Sequence, residues 1–413
     1  MRQLKLWQIY ETRAAAWVAV TVTVLVVTRD LLLGLLYRMI FRERNDSDFV
    51  SFYSAARCWI TGHSPYEMAT FHRYTAMYSA PRPFFAGYLP TILPVLAPVA
   101  PFSFTTAELV FRCINLCAAV ALFWCTIRLA RHFRGGPLTN GDWCWLLGAN
   151  SLAAVSAPIH FGQTSLLISL AVTATLVGLI EDWPWLAAAG ILISSAKPIL
   201  SLPLFLFALV FQPSARRPLV YAILASIPLV VYAAWVDQNL VQSYLSSAHA
   251  YTSDPLNKAT LMIGLIALLE AIGVPATAGY AISAAAFLAV AGVITALLLK
   301  QRTKLTESYA ALALLLLMPG LATPVHNYDF SCYTPAIALM AVMPRWTALP
   351  AAIATLALIV PRLFMPPVKM DWFQLYIGRD IVYGSAWAIF LLLTLAVCVG
   401  KLRKGEKATA AAV

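Results

Sequence analysis

Residues 45–66 read N-D-S-D-F-V-S-F-Y-S-A-A-R-C-W-I-T-G-H-S-P-Y. Phe49, Phe52, Tyr53, Ala56 and Ile60 recur at helical steps, while Ser51, Ser54 and Arg57 fall on another face. Gly62 and Pro65 then stop the pattern, as a glycine at a helix end and a following proline do. The spacing predicts a short amphipathic helix lying along a membrane surface, with two acids, Asp46 and Asp48, held at its start.

The surrounding composition makes that surface a bilayer. Of 413 residues, 61% are hydrophobic and 11% charged, against about 25% charged in a soluble domain. Apolar segments fill nearly the whole length, so residues 1–413 read as one integral membrane unit with no separate soluble domain. A net charge of +11 in a soluble protein would point to nucleic acid. Here the basic residues sit between apolar spans and report topology, so no nucleic-acid partner is expected and membrane lipids are. The basic start, Met1 to Arg13, runs into an apolar segment without a clear cleavage site, which predicts a retained first helix. The seven cysteines form no C-x-x-C pair, and ligand spacings for zinc are missing. Neither a metal nor another cofactor is expected.

Measured against about 20 apolar residues per crossing, the chain predicts an all-α polytopic membrane protein of about twelve spans. These fall near 14–36, 105–129, 143–160, 164–180, 184–196, 198–211, 218–235, 275–299, 307–323, 333–344, 346–361 and 382–400. A first outer loop, 37–104, holds the predicted surface helix. Its proline-broken end, 89–103, reads as re-entrant or surface-lying, since broken backbone at membrane depth must be buried in protein. Further polar or partial segments are expected at 236–258, 259–272 and 362–381. Lys and Arg gather on alternate connections: before residue 14, at 128–134, at 216–217, at 300–304, at 345 and in the tail from 401. That pattern places both termini in the cytoplasm and the long loops outside. No internal repeat is visible, which weighs against a transporter built from paired halves.

Charged groups in hydrocarbon cost at least ~3 kcal/mol, so each needs a reason. Lys197 stands in S-S-A-K-P at the outer tip of a helical hairpin, Arg112 lies early in the second span, and Gln163 follows an outer turn. His326 to Asp329 form a polar cluster where another span reaches the same face, and Asn257 lies in the second polar stretch. All fall on the side of Asp46 and Asp48. A carboxylate beside cations and hydrogen-bond donors can deprotonate a hydroxyl while the others stabilise a departing phosphate. The aromatics nearby, Tyr53 among them, suit a sugar face. The candidate set is therefore the two acids Asp48 and Asp46, either as the base or as its helper, with Lys197, His326, Arg112, Gln163, Tyr53 and Asn257 binding substrate. A lipid-linked sugar transporter or flippase would use the same groups without making a bond.

A family resemblance is carried by an ordered set of pieces. They are D-F-V-S-F-Y-S-A-A-R-C-W-I-T-G-H-S-P-Y at 48–66, Y-L-P-T-I-L-P-V-L-A-P at 88–98, N-S-L at 150–152, G-Q-T-S-L-L at 162–167, S-A-K-P at 195–198 and A-T-P-V-H-N-Y at 322–328. In these the chain resembles glycosyltransferase family 87, departing at Leu89, where the family often has proline. The resemblance implies a C-type membrane glycosyltransferase fold and a polyprenyl-phosphate sugar donor, mannose above others. It implies inverting transfer to a lipid or glycan acceptor, with the first-loop aspartate, Asp48, as base. It also implies a bacterial inner membrane, with the site on the outer side.

Overall fold

A computed structural model describes residues 12–31, 48–78, 86–152, 155, 158–159, 161–254, 257, 262–364 and 372–410. The described residues are helical, with no strand beyond one isolated two-residue bridge. In chain order the principal helices are α1 (Arg13–Leu31), α2 (Phe49–Ile60), α3 (Met68–Ala76), α4 (Phe104–Arg134), α5 (Asn140–Asn150), α6 (Ser165–Ile180), α7 (Pro184–Ser194) and α8 (Pro198–Phe211). They continue as α9 (Arg216–Val236), α10 (Leu240–Ser253), α11 (Leu265–Ala271), α12 (Ala276–Gln301), α13 (Tyr309–Leu317), α14 (Ala348–Phe364) and α15 (Trp372–Ala410).

Four of these helical stretches are long and apolar enough to cross a membrane: Phe104–Arg134, Pro213–Val236, Ala276–Gln301 and Ile381–Arg403. Shorter apolar helices pack beside them, α6, α7, α8 and α13 included. On α9, Val220, Ile223, Leu224, Ile227, Val231 and Trp235 all point outward, exposed. An apolar face of that size suits lipid tails rather than water. At the centre, α13 is buried on every side from Ala310 to Leu317. The α6–α7 hairpin closes tightly because glycine lines its seam: a Cβ on Gly178 would stand 2.6 Å from the Ala187 nitrogen. Small residues let two backbones approach this closely where lipid supplies no hydrophobic drive.

Polar side chains mark the two ends of the bundle. At one end, Arg128 pairs with Glu181, Arg134 with Asp142 and the Ala341 carbonyl, His132 with the Thr306 carbonyl, and Thr306 with Gln212. Arg216, Arg217, Lys300, Lys304 and Lys401 lie in these same end segments. α4 rises about 1.5 Å per residue, so its Arg134 end is separated from Arg112 by roughly the ~30 Å of a hydrocarbon core. Among the described residues, the basic connections at 128–134, 216–217, 300–304 and 401 thus gather at this end.

Two expectations change. The helix Phe49–Ile60 does form, but it does not lie on a surface with one face in water. Phe49, Val50, Phe52, Tyr53, Ser54, Ala56, Cys58 and Trp59 are all buried. Phe49 packs on Phe104 and Phe111, and Trp59 on Tyr66 and Tyr232, so protein covers both faces. The stretch expected as a span at 333–344 is a broken path: a 3₁₀ segment Asn327–Tyr333, one helical turn Thr334–Ala338 and a second 3₁₀ turn Leu339–Val342. Pro335 removes a donor there, and full burial makes irregular backbone tolerable. Residues 89–103 are a chain of short turns with Leu96 and Val99 buried, and 259–272 contributes the short α11.

Candidate active site

Asp48 takes the last position before α2 with helical backbone angles, and its side chain makes no cap hydrogen bond. Its partner comes from across the fold: Gln163 Nε2 donates to Asp48 Oδ2 at 2.6 Å. Three local features hold Gln163 in place. Gly162 takes φ +67°, which lets the chain turn into α6. The Gln163 N–H donates to the Pro158 carbonyl at 2.8 Å, and Asn115 Nδ2 on α4 donates to the Gln163 carbonyl at 3.0 Å.

Lys197 sits in the turn between α7 and α8, where Pro198 begins the next helix. Its Nζ lies 2.6 Å from Asp329 Oδ2 and 5.8 and 5.9 Å from the ring centres of Tyr88 and Tyr328. Asp329 is 1% exposed, and its other oxygen accepts from the Ser165 hydroxyl at the start of α6. The His326 N–H also donates to Asp329 Oδ2, at 3.3 Å. The His326 ring stacks on Tyr328 with centres 4.9 Å apart, and its Nε2 is 2.6 Å from the Tyr251 hydroxyl. Asn257 Nδ2 donates to the Tyr251 carbonyl at 2.8 Å, closing the end of α10. Val325, the neighbour of His326, exchanges two backbone hydrogen bonds with Ile263, of 2.7 and 2.9 Å.

These two groupings share one space. The charges of Asp48 and Asp329 act on Tyr88, Tyr251, His326 and Tyr328, and that of Lys197 acts on Tyr88, Tyr251 and His326. Burial opposes the Lys197 charge, but Asp329 with Tyr88 and Tyr251 outweighs it and raises the pKa above the ordinary lysine value. His326 goes the other way: burial lowers its pKa, and Lys197 adds to that against the pull of Asp329 and Asp48. Burial thus favours the neutral imidazole, which serves here as a hydrogen-bonding group.

Of the residues singled out from sequence, Asp48, Gln163, Lys197 and His326 come together, and Asn257 braces their neighbour Tyr251. Arg112 is buried and bonds Glu108 one turn back at 2.7 Å, while Asn115, one turn on, reaches Gln163. Tyr53 stays out of the cluster: its hydroxyl donates to the Phe102 carbonyl at 2.7 Å and its ring packs on Tyr78 and Phe104. It ties α2 to the turns before α4. Asp46 lies outside the described residues. Sequence reasoning missed Tyr251 and Ser165, and it placed Tyr88 only among the aromatics suited to a sugar face. It noted Asp329 only within the polar run starting at His326, with nothing to show its partner 132 positions away.

Beside the site runs an apolar cavity of about 190 Å³ between α1, α4 and α5. Leu116 and Ile159 line one part of it, adjoining Asn115 and the turn that presents Gln163. Among the described residues, no group of three His, Cys, Asp or Glu side chains is placed to hold a metal ion.

Among the described residues, the apolar helical bundle and its cluster of acid, amide, lysine and histidine define a helical membrane protein with a candidate site at one end of the fold. Residues 85–324 match Glycosyltransferase family 87, and the chain belongs to that family of glycosyltransferases. No curated protein matches the chain, and neither does any solved structure.

Proposed function

We propose that the protein moves one sugar, mannose, from a polyprenyl-phosphate donor to a hydroxyl of a lipid or glycan acceptor at the outer face of the inner membrane. The observation that carries this reading is the convergence of the Asp48–Gln163 pair and the Lys197–Asp329 pair on the same tyrosines and histidine. A base on one side and a cation on the other suit a displacement between them. The apolar cavity between α1, α4 and α5, lined in part by Leu116 and Ile159, supports a substrate that arrives on a lipid chain. The family's C-type architecture fits a bundle with its basic residues at the far end, which on the positive-inside rule is cytoplasmic. On this reading long and short apolar helices together make about twelve crossings, with both termini inside and residues 37–104 outside.

The chemistry follows in one step. Asp48 takes the proton of the acceptor hydroxyl as that oxygen forms its bond to the anomeric carbon. The bond from that carbon to the phosphate oxygen breaks, its electron pair leaves with the polyprenyl phosphate, and the anomeric centre inverts. Gln163 fixes the Asp48 carboxylate. Lys197 faces the phosphate as charge grows on it, with the Tyr251 and Tyr88 hydroxyls as further donors. A phosphate leaving group requires no strong general acid, so a second catalytic carboxylate of the glycosidase kind is not needed.

Purified protein supplied with radiolabelled polyprenyl-phosphate mannose and a membrane lipid extract tests this. Wild type should form product, and Asp48→Asn, folded and still binding donor, should lose about 10²–10⁴-fold in rate. Equal product from both removes Asp48 from the chemistry. Movement of the lipid across vesicles without any product favours a flippase instead.

A further inference from the structure

The acid beneath Lys197 has a role of its own. We propose that Asp329 is the positioning residue of this site: it holds the Lys197 ammonium in the cluster as a cation, so that the lysine can meet the donor's phosphate. The inference rests on the transferase reading above for the identity of the anion, and on geometry for everything else.

Asp329 is nearly sealed from solvent and is met by donors from three separate parts of the chain. Lys197 comes from the α7–α8 turn at 2.6 Å, the Ser165 hydroxyl from the start of α6, and the His326 N–H from the segment that carries Asp329 itself, at 3.3 Å. One carboxylate therefore joins the lysine, the helix that follows Gln163 and the histidine. The Lys197 side chain is 20% exposed against 1% for Asp329, so the lysine is the more open member of the pair. An ammonium has three hydrogens; with one on Asp329, others remain for an oxyanion. Among the described residues, the other groups acting on Lys197 carry no positive charge: Tyr88, Tyr328, Tyr251 and His326, with Asp48 acting on the same tyrosines. Without Asp329, the burial that opposes the Lys197 charge loses its main counterweight, so the lysine gives up its proton at lower pH than in wild type.

The test uses Asp329→Asn, Lys197→Met and the double variant of the whole protein, reading donor KM and kcat between roughly pH 6 and 9.5. Wild type should hold a flat donor KM. Asp329→Asn should stay within about threefold of wild type near pH 6 and rise tenfold or more toward pH 9 as Lys197 deprotonates. The double variant should match Lys197→Met at every pH, because Asp329 acts through the lysine. An Asp329→Asn KM that tracks wild type, or rises by one factor at all pH values, overturns the proposal. Should the single variant not fold, the double variant decides, since it buries no lone charge. A KM beyond that of Lys197→Met then counts against the proposal and an equal KM for it. Loss of transfer in wild type itself would sink the transferase reading and not this one. The same pH dependence is then sought in the rise of melting temperature given by undecaprenyl phosphate, which needs no reaction.

Discussion

Replacing Gln163 by leucine removes the donor that fixes Asp48 while keeping the volume of the side chain. The bond lost is 2.6 Å long and runs to a carboxylate in a part-buried setting. Hydrogen bonds to charged groups contribute about 1.5–3 kcal/mol. If all of that acts in the transition state, kcat falls by roughly 10- to 150-fold, at 1.36 kcal/mol per decade. The backbone should not move, because the Pro158 carbonyl and Asn115 still hold residue 163 through its N–H and C=O. Gln163 bonds the base and not the lysine side of the site, so the donor KM should change less than threefold. Initial rates of sugar transfer by protein purified in nanodiscs, with donor and acceptor varied in turn, measure both quantities. A Gln163→Leu enzyme with kcat within twofold of wild type would refute the assignment of Gln163 as the residue that orients Asp48. A change confined to donor KM would move Gln163 to the phosphate side.

Two further outcomes follow from the same geometry. His326 has a pKa below its usual 6.5 because it is buried, so the unfolded chain binds its proton first. Stability should be full above pH 6.5 and fall as pH drops through that value toward the depressed one, and His326→Gln should flatten this part of a melting-temperature profile. In the α6–α7 seam, Gly178→Val should cost about 1–3 kcal/mol, because its Cβ would meet the Ala187 backbone at 2.6 Å. A melting temperature unchanged from wild type would show that the hairpin can open without loss.

Much of the site was legible because the chain is so apolar. In such a sequence every lysine, histidine and aspartate within reach of the bilayer demands a reason, and Asp48, Gln163, Lys197 and His326 all pointed to one end. Their partners were hidden for the opposite cause. Tyr251 looks like any aromatic in a membrane chain, and only folding brings its hydroxyl onto a histidine 75 positions away. Asp329 read as one more polar residue in a cluster, since pairing over 132 positions leaves no local pattern. Tyr53 misled because a helical stripe of aromatics is equally the mark of packing, which is what its bond to Phe102 provides. The burial of α2 was beyond reach for a related reason. Periodicity tells which residues share a face, but not whether a second layer of protein covers the other one.

The segment from Tyr251 to Ile263 is fastened twice to the same place. Its first residue holds the ring of His326, and its last clasps Val325 beside it. Asn257, inside that interval, supports the first anchor through the Tyr251 carbonyl; changes elsewhere in it leave both fastenings of the histidine in place. A lineage could retune what this end of the protein accepts by editing that interval alone, leaving the reaction machinery inherited intact.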